Sequence, residues 1–495
     1  MRRLSRRGLL KSAGPLAAAA VSSANTETVE QWTVYEASFQ GPVSGNPFVE
    51  VHIAGEFRLQ NRIVPVEGFY DGAGMYRLRF MPDALGEWSF TTRSNSRELD
   101  GRQGAFVCSR ASGINHGPVQ VRPPHHLCYA DGAPHVSVGT TCYAWAHQAE
   151  ELEQETLKSL RGAPFNKVRM CILPTEKDPK RFPFERDASG KNDLTRFDVK
   201  FFQHFDQRIK DLRELGIEAD LILFHPYDHL GYGNMPPDVN ERYLRYVVAR
   251  FAAFRNVWWS IANEFDLVKT KHQPEWDNFF RIVAHADPYA HLRSIHYSKV
   301  FYDYSKPWVT HLSLQSDAFE KTAEWLGEYN KPILFDECKY EGDIDRRWGN
   351  LSGHEMMRRF WIGMVSGAYV GHGETYHDNA GVAWTSKGGS LSGESPKRIA
   401  FLRNVFEEAA SLQLNPPPDP YYPCLAKPNT YYLYYFDYHQ PAAYEFHLPD
   451  TEAYRAEVID PWGMTIKAVD GTYKGKFSVK LPGKPYMAVR FRRAL

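Results

Sequence analysis

The chain has 495 residues, enough for two or three domains around a large core. Lys plus Arg and Asp plus Glu both number 59, so the formal charge is zero and no basic excess points to nucleic acid or an anionic surface. Aromatic residues make up 14%, with 12 Trp and 28 Tyr, a supply of flat amphipathic rings that sugar-binding grooves and large β-rich cores both use.

The first segment, MRRLSRRGLLKSAGPLAAAAVSSA, has a basic start, an apolar run from Gly8 to Val21, and small residues Ser22 and Ala24 where a signal peptidase cuts. Residues 1–24 are therefore expected to be a removable signal, cleaved between Ala24 and Asn25. Ser5 to Lys11, SRRGLLK, resembles the bacterial twin-arginine export signal, with Arg6 and Arg7 as the pair, and implies a periplasmic or extracellular protein. No other stretch reaches about 18 uncharged apolar residues, so stable membrane insertion is not expected. Cys108, Cys128, Cys142, Cys171, Cys338 and Cys424 form no CxxC and no ligand-like spacing, and read as buried free thiols.

Residues 25–112 contain short alternating runs, among them TVYEASFQ, FVEVHIAGEFRL and EWSFTTRS, broken by Gly, Pro and Asn. That pattern predicts an immunoglobulin-like antiparallel β-sandwich. Across 113–413 the grammar changes. Apolar strand-length runs at HVSVGTTCY, NKVRMCIL, EADLILFHP, NVWWSIANE, LRSIHYS, VTHLSLQ, PILFDEC and AYVGHGETY alternate with amphipathic stretches such as VKFFQHFDQRIKDLRELG. Eight strands alternating with helices predict an α/β fold, a closed (β/α)8 TIM barrel, and no nucleotide-type glycine turn argues for an open sheet. The linker LNPPPDPYYP leads into alternating runs again, so 414–495 should form a second small β-sandwich.

Working residues of such a barrel sit at the carboxyl ends of its strands. Glu264, in WWSIANEFD, closes the fourth strand, and Glu337, in KPILFDECKYEG, closes the seventh. Two carboxyls on opposite sides of the mouth suit glycosidic cleavage, one protonating the leaving oxygen and the other attacking the sugar. Strand alternation puts Trp259 and Ile261 toward the helices and Ser260, Ala262 and Glu264 inward. It likewise groups Glu337 with Phe335 and Ile333, and turns Asp336 away. Glu264 is expected to be protonated at rest and Glu337 ionised.

Asn263 and Glu264 after the fourth strand, with Glu337 after the seventh, resemble the retaining glycoside hydrolases of clan A. More narrowly, SVGTTCYAW, LILFHPYD, WWSIANEFD and KPILFDECKYEGD, set between two sandwiches, resemble the apiosidase-like glycoside hydrolases of bacteria, from about Gln31 to Arg493. The resemblance implies that Glu264 is the acid/base, Asn263 a ligand of the hydroxyl beside the reacting carbon, and Glu337 the nucleophile. The sixth strand departs from the clan pattern. It offers His311 and Gln315 but no tyrosine to hold the nucleophile, a place left to Tyr297 or Tyr340.

Other residues at the strand ends carry two readings each. His225 ends strand three beside Asp228 and His229. A catalytic zinc would need three convergent ligands, so sugar hydrogen bonding or loop structure is the better reading. Arg169 on strand two and His296 after strand five either bind substrate, orient a carboxylate or simply pack. Tyr143 and Trp145 after strand one and Trp384 after strand eight could line one side of the mouth and stack on sugar faces, with helix capping the alternative for Trp145. Glu374 ends strand eight as a third substrate-binding carboxylate or as the partner of an arginine. The expected function is an exported retaining glycoside hydrolase with a carbohydrate substrate and no cofactor or metal; the alternative is a non-catalytic carbohydrate-binding protein on a degenerate barrel. Sequence names neither the sugar nor an oligomeric state.

Overall fold

The computed structural model describes residues 27–378 and 381–494; the expected export signal, residues 1–24, lies outside these residues. Eight parallel strands form the central sheet: β1 (Val138–Thr141), β2 (Lys167–Cys171), β3 (Glu218–Phe224), β4 (Val257–Ala262), β5 (Arg293–Ser294), β6 (Leu312–Gln315), β7 (Ile333–Glu337) and β8 (Tyr369–His372). Ladders join β5-β4-β3-β2-β1-β8-β7-β6 in that order, and a single parallel bridge from His296 to Ser313 spans the remaining seam between β5 and β6. All eight expected strands are present. The longer helices between them, including Glu150–Gly162, Val199–Glu214, Pro237–Phe251 and Gly353–Val365, bury one apolar face each against the sheet.

The two tryptophans of β4 divide as strand alternation requires. Trp259 and Ile261 join the large core under the helices, and the Trp259 indole donates to Asp287 at 3.1 Å. Trp258 faces inward and closes the barrel floor with Val119, Leu127, Leu292 and Leu334, its indole donating to the buried Glu218 at 3.0 Å.

Alternation fails on β7. Ser313 pairs with Leu334 but Gln315 pairs with Glu337, so three residues of β7 oppose two of β6, the signature of a bulge. Phe335 therefore packs outward against the Phe319 and Trp325 rings, whereas Asp336, expected to face away, enters the barrel beside Lys167. Adjacent Asp336 and Glu337 both serve the interior because of that extra residue. Gly371 on β8 makes room for it: a Cβ there would lie 2.6 Å from the Asp336 carbonyl oxygen. Gly371→Ala is accordingly expected to destabilise the fold by about 1–3 kcal/mol, read by chemical denaturation, and to lower activity by displacing Glu337.

The amino-terminal region packs a five-stranded sheet (order Glu27–Glu30, Gln103–Ser109, Gly86–Ser94, Ile53–Leu59, Arg62–Glu67) on a three-stranded one around Tyr35, Phe57, Phe80, Trp88 and Phe106. Its edge strand Glu27–Glu30 runs parallel to its neighbour, a departure from the antiparallel expectation. That strand leads into Tyr35–Gln40 of the opposite sheet, so no hairpin fixes its direction. The carboxyl-terminal region pairs a five-stranded sheet with a two-stranded antiparallel sheet of Ala443–His447 and Lys476–Lys480. Ion pairs tie both to the barrel: the buried pairs Arg79 to Asp206 at 2.7 Å and Arg250 to Asp71 at 2.8 Å on one side, and the partly buried pair Arg358 to Asp437 at 2.5 Å on the other. All six cysteines are buried free thiols. Among the described residues no helix is long and apolar enough to cross a membrane.

Candidate active site

The carboxyl ends of the strands open into a cavity of about 730 Å³ lined by, among others, Tyr143, Tyr227, Glu264, Glu337, Tyr340 and Trp348. Glu264 leaves β4 in the left-handed backbone region, φ 43° and ψ 52°, and starts the turn Phe265–Leu267. A non-glycine residue there costs on the order of 1–2 kcal/mol, and the surroundings hold it: the Phe265 amide donates to His296 O at 2.9 Å and Leu267 N to Glu264 O at 2.9 Å. The Tyr227 hydroxyl donates to Glu264 Oε2.

Glu337 is held from three sides at one oxygen. The Tyr143 hydroxyl donates to Oε1, Arg169 Nη1 donates to it at 3.2 Å, and His296 Nε2 lies 3.4 Å away. Tyr340, 3.5 Å from the Tyr143 hydroxyl, also hydrogen-bonds this carboxyl. Of the two tyrosines considered for holding the nucleophile, Tyr340 is in place and Tyr297 is not; Tyr143, expected as a sugar platform, is the principal holder. Arg169 Nη2 donates to Asn263 Oδ1 at 2.8 Å, and Asn263 Nδ2 donates to the Tyr227 hydroxyl at 3.0 Å. A continuous chain, Glu337–Arg169–Asn263–Tyr227–Glu264, thus links the two carboxyls.

Beneath this chain, Lys167 Nζ contacts Asp220 at 2.9 Å and Asp336 at 2.6 Å, and Arg169 Nε lies 3.6 Å from Asp220. Two buried cations meet two buried carboxylates, so little net positive charge is left over for Glu337. Burial accordingly lifts the Glu337 carboxyl to about 7, opposed by the Tyr340 hydrogen bond. Asp336, beside Lys167 and Arg169, is held well below the usual carboxylate range. The sequence assigned the raised carboxyl to Glu264; the bulge of β7 puts Glu337 deep enough to carry one itself.

Several expected substrate ligands lie elsewhere. Asn263, Arg169 and His296 are fully buried beneath the cavity, where Arg169 bridges Glu337 and Asn263 and His296 lies beside Glu337. His225 Nε2 donates to the Leu173 carbonyl at 2.9 Å and its Nδ1 accepts the Tyr227 amide at 3.2 Å, supporting the loop that presents Tyr227. Asp228 accepts the amides of Leu230, Gly231 and Gly233, which makes it the organiser of this loop. Trp145 is completely buried, its indole on Met170 Sδ at 3.3 Å. Trp384 is buried too, because the glycine-rich segment folds into the short helix Trp384–Lys387 and turns the indole onto Thr140 Oγ1 at 2.8 Å, across the β8–β1 seam. The tryptophan that does line the cavity is Trp348, 51% exposed, edge-on to Tyr340.

Glu374 accepts amides of Ser392 and Gly393, and Glu341 those of Glu394 and Ser395, so the pair anchors the start of helix Ser395–Glu407. Glu341, His372 and Glu374 approach closely enough to suggest a metal, but these four amides already occupy the carboxylate oxygens. Burial lifts Glu374 to about 7. Tyr227 and Trp348 were the residues sequence reading passed over. Both stand in loops on the carboxyl side, Tyr227 three residues past β3 and Trp348 in the long loop after β7, and that position was the available signal.

Residues 123–412 match the family described as apiosidase-like, catalytic domain. The chain belongs to the apiosidase-like family. Residues 28–95 and 421–492 match two further families described as domains of unknown function. A candidate glycoside hydrolase from Bacteroides vulgatus ATCC 8482 is 38% identical, with a TM-score of 0.90 over 95% of this chain and 100% of that one. Family and relative together put the chain in the glycoside hydrolase class. A glycoside hydrolase family 5 structure from the same organism shares the fold at 16% identity, with a TM-score of 0.60 over 76% of this chain and 93% of that one. No curated protein matches the chain.

Proposed function

We propose that the protein is an exported retaining glycoside hydrolase in which Glu337 attacks the anomeric carbon and Glu264 is the acid/base. The observation that carries this reading is the pair of carboxyls lining one cavity, each gripped by a tyrosine hydroxyl and joined through Arg169 and Asn263. In the first half-reaction Glu264 gives its proton to the leaving oxygen while Glu337 forms a glycosyl ester. In the second, Glu264 takes a proton from water, which displaces Glu337. The tyrosines, Arg169 and Asn263 fix both carboxyls before substrate arrives, so little reorganisation is needed during attack. A cavity of about 730 Å³ is the size of small-ligand sites and suits a short glycan or a chain end. The exposed Trp348 ring offers an apolar face for a sugar.

The test is turnover of a panel of aryl pyranosides, aryl furanosides and plant or bacterial oligosaccharides by the chain from Asn25. Cleavage that depends on Glu337 supports the reading. Binding without cleavage favours a non-catalytic carbohydrate-binding protein. The pH profile carries a sign. Attack needs Glu337 ionised and its carboxyl titrates near 7, so kcat/KM should fall up to tenfold per unit as pH drops below about 7, measured on whichever aryl glycoside responds.

A further inference from the structure

Below the cavity, Asp336, Ser313 and His296 form a chain whose hydrogen positions can be deduced. Ser313 Oγ lies 2.6 Å from Asp336 Oδ2 and 3.1 Å from His296 Nδ1. Asp336 is bound by Lys167 at 2.6 Å; as an ionised carboxylate it can only accept, so it takes the single hydroxyl proton of Ser313. Ser313 then has only a lone pair for His296, and Nδ1 must carry the hydrogen. In a neutral imidazole the other nitrogen is bare. That nitrogen, Nε2, has no donor or acceptor contact of its own and faces Glu337 Oε1 at 3.4 Å.

Second protonation of the ring is opposed by its neighbours. Arg169 and Lys167 on β2 disfavour it, and Asp336 on β7 favours it, while complete burial costs the charged form most. The other titratable groups nearby are committed elsewhere: Asp220 on β3 to Lys167, Glu264 after β4 to Tyr227, and His311 on β6 to Thr310, with its ring against Trp258. His296 is therefore neutral, with an unshared electron pair aimed at the nucleophile.

We propose that Ser313, oriented by Asp336, is a positioning residue that locks His296 as the Nδ1–H tautomer, so that the free enzyme keeps a proton between Glu337 and His296 Nε2. The proton sits on Glu337 as a donor to the ring. It must leave before attack, and the chain thereby sets the acidity at which the nucleophile becomes available. Without the Ser313 hydroxyl the ring is free to carry its hydrogen on Nε2, donate to the Glu337 carboxylate and favour the ionised form.

The kinetic part of this inference rests on Glu337 being the nucleophile; the tautomer does not, and the experiment separates them. Infrared titration of the protonated carboxyl band, assigned by its loss in Glu337→Gln, should place Glu337 about one pH unit lower in Ser313→Ala than in wild type, with Ser313→Thr, which keeps the hydroxyl, unchanged. The acid limb of kcat/KM should move by the same amount. A structural defect would instead lower kcat/KM at every pH with the limb in place, and an unmoved or raised Glu337 titration in Ser313→Ala overturns the proposal. Should Ser313→Ala not fold, nitrogen NMR of histidine-labelled wild type decides: a protonated Nδ1 with a bare Nε2 is expected at His296, and the reverse overturns it. Loss of the limb shift with the infrared shift intact would count against Glu337 as nucleophile while leaving the tautomer lock standing.

Discussion

Glu337→Gly is expected to lower kcat/KM by on the order of 10⁴-fold, with azide restoring part of the rate and yielding a glycosyl azide of inverted anomeric configuration. Removal of the carboxylate abolishes the covalent step and leaves a space beside the sugar that a small anion can enter. Arg169 and Tyr143 remain as donors to hold that anion. The rescue separates loss of a nucleophile from loss of the fold, because a damaged barrel gains nothing from azide. Asp336 does not substitute for Glu337 despite being its neighbour: its carboxylate is spent on Lys167 and Ser313, away from the cavity.

Glu264→Gln should show a different pattern. General acid catalysis contributes about 10²–10⁴, and the need for it grows with the basicity of the leaving group. On oligosaccharides the variant should lose about 10³-fold in kcat. On an activated dinitrophenyl glycoside the first half-reaction needs little protonation, so a burst of phenol followed by slow turnover is expected in stopped-flow absorbance. Equal losses on both substrates, with no burst, would mean that Glu264 is not the proton donor. Tyr227 keeps the glutamine side chain in place, since the hydroxyl that donates to Glu264 Oε2 can donate equally to an amide oxygen.

Much of the architecture could be read from the chain because the apolar periods of a barrel are strong: continuous runs such as LILF and VWWSIA mark strands buried on both faces, and the amphipathic stretches between them have room for little but helices. The two glutamates were singled out by strand number, by the apolar strands that precede them and, for Glu264, by the adjoining Asn263, and both line the cavity. What the sequence did not carry was the register on β7. One extra residue reverses inside and outside, and nothing in PILFDEC announces it; the clue is Gly371 on the neighbouring strand, which makes sense only once the backbones are seen to approach. Trp384 illustrates a second gap. Its place after strand eight suggested a ring at the mouth, yet the segment folds into a short helix and buries it on Thr140. Asn263 was expected to meet the sugar, and Arg169 and His296 were open between binding and positioning; their burial beneath the cavity is set by packing across several strands and is invisible in any local motif.

The most direct measurement is the mass and position of a trapped sugar. The wild-type chain would be incubated with the 2-deoxy-2-fluoroglycosyl fluoride matched to the aryl glycoside it cleaves, digested with pepsin, and sequenced by tandem mass spectrometry. The account predicts one fluorosugar on the peptide containing Cys338, with fragmentation assigning it to Glu337 and not Asp336. A label on Glu264, or brisk cleavage of the aryl glycoside with no covalent adduct and an inverted first product, would contradict it.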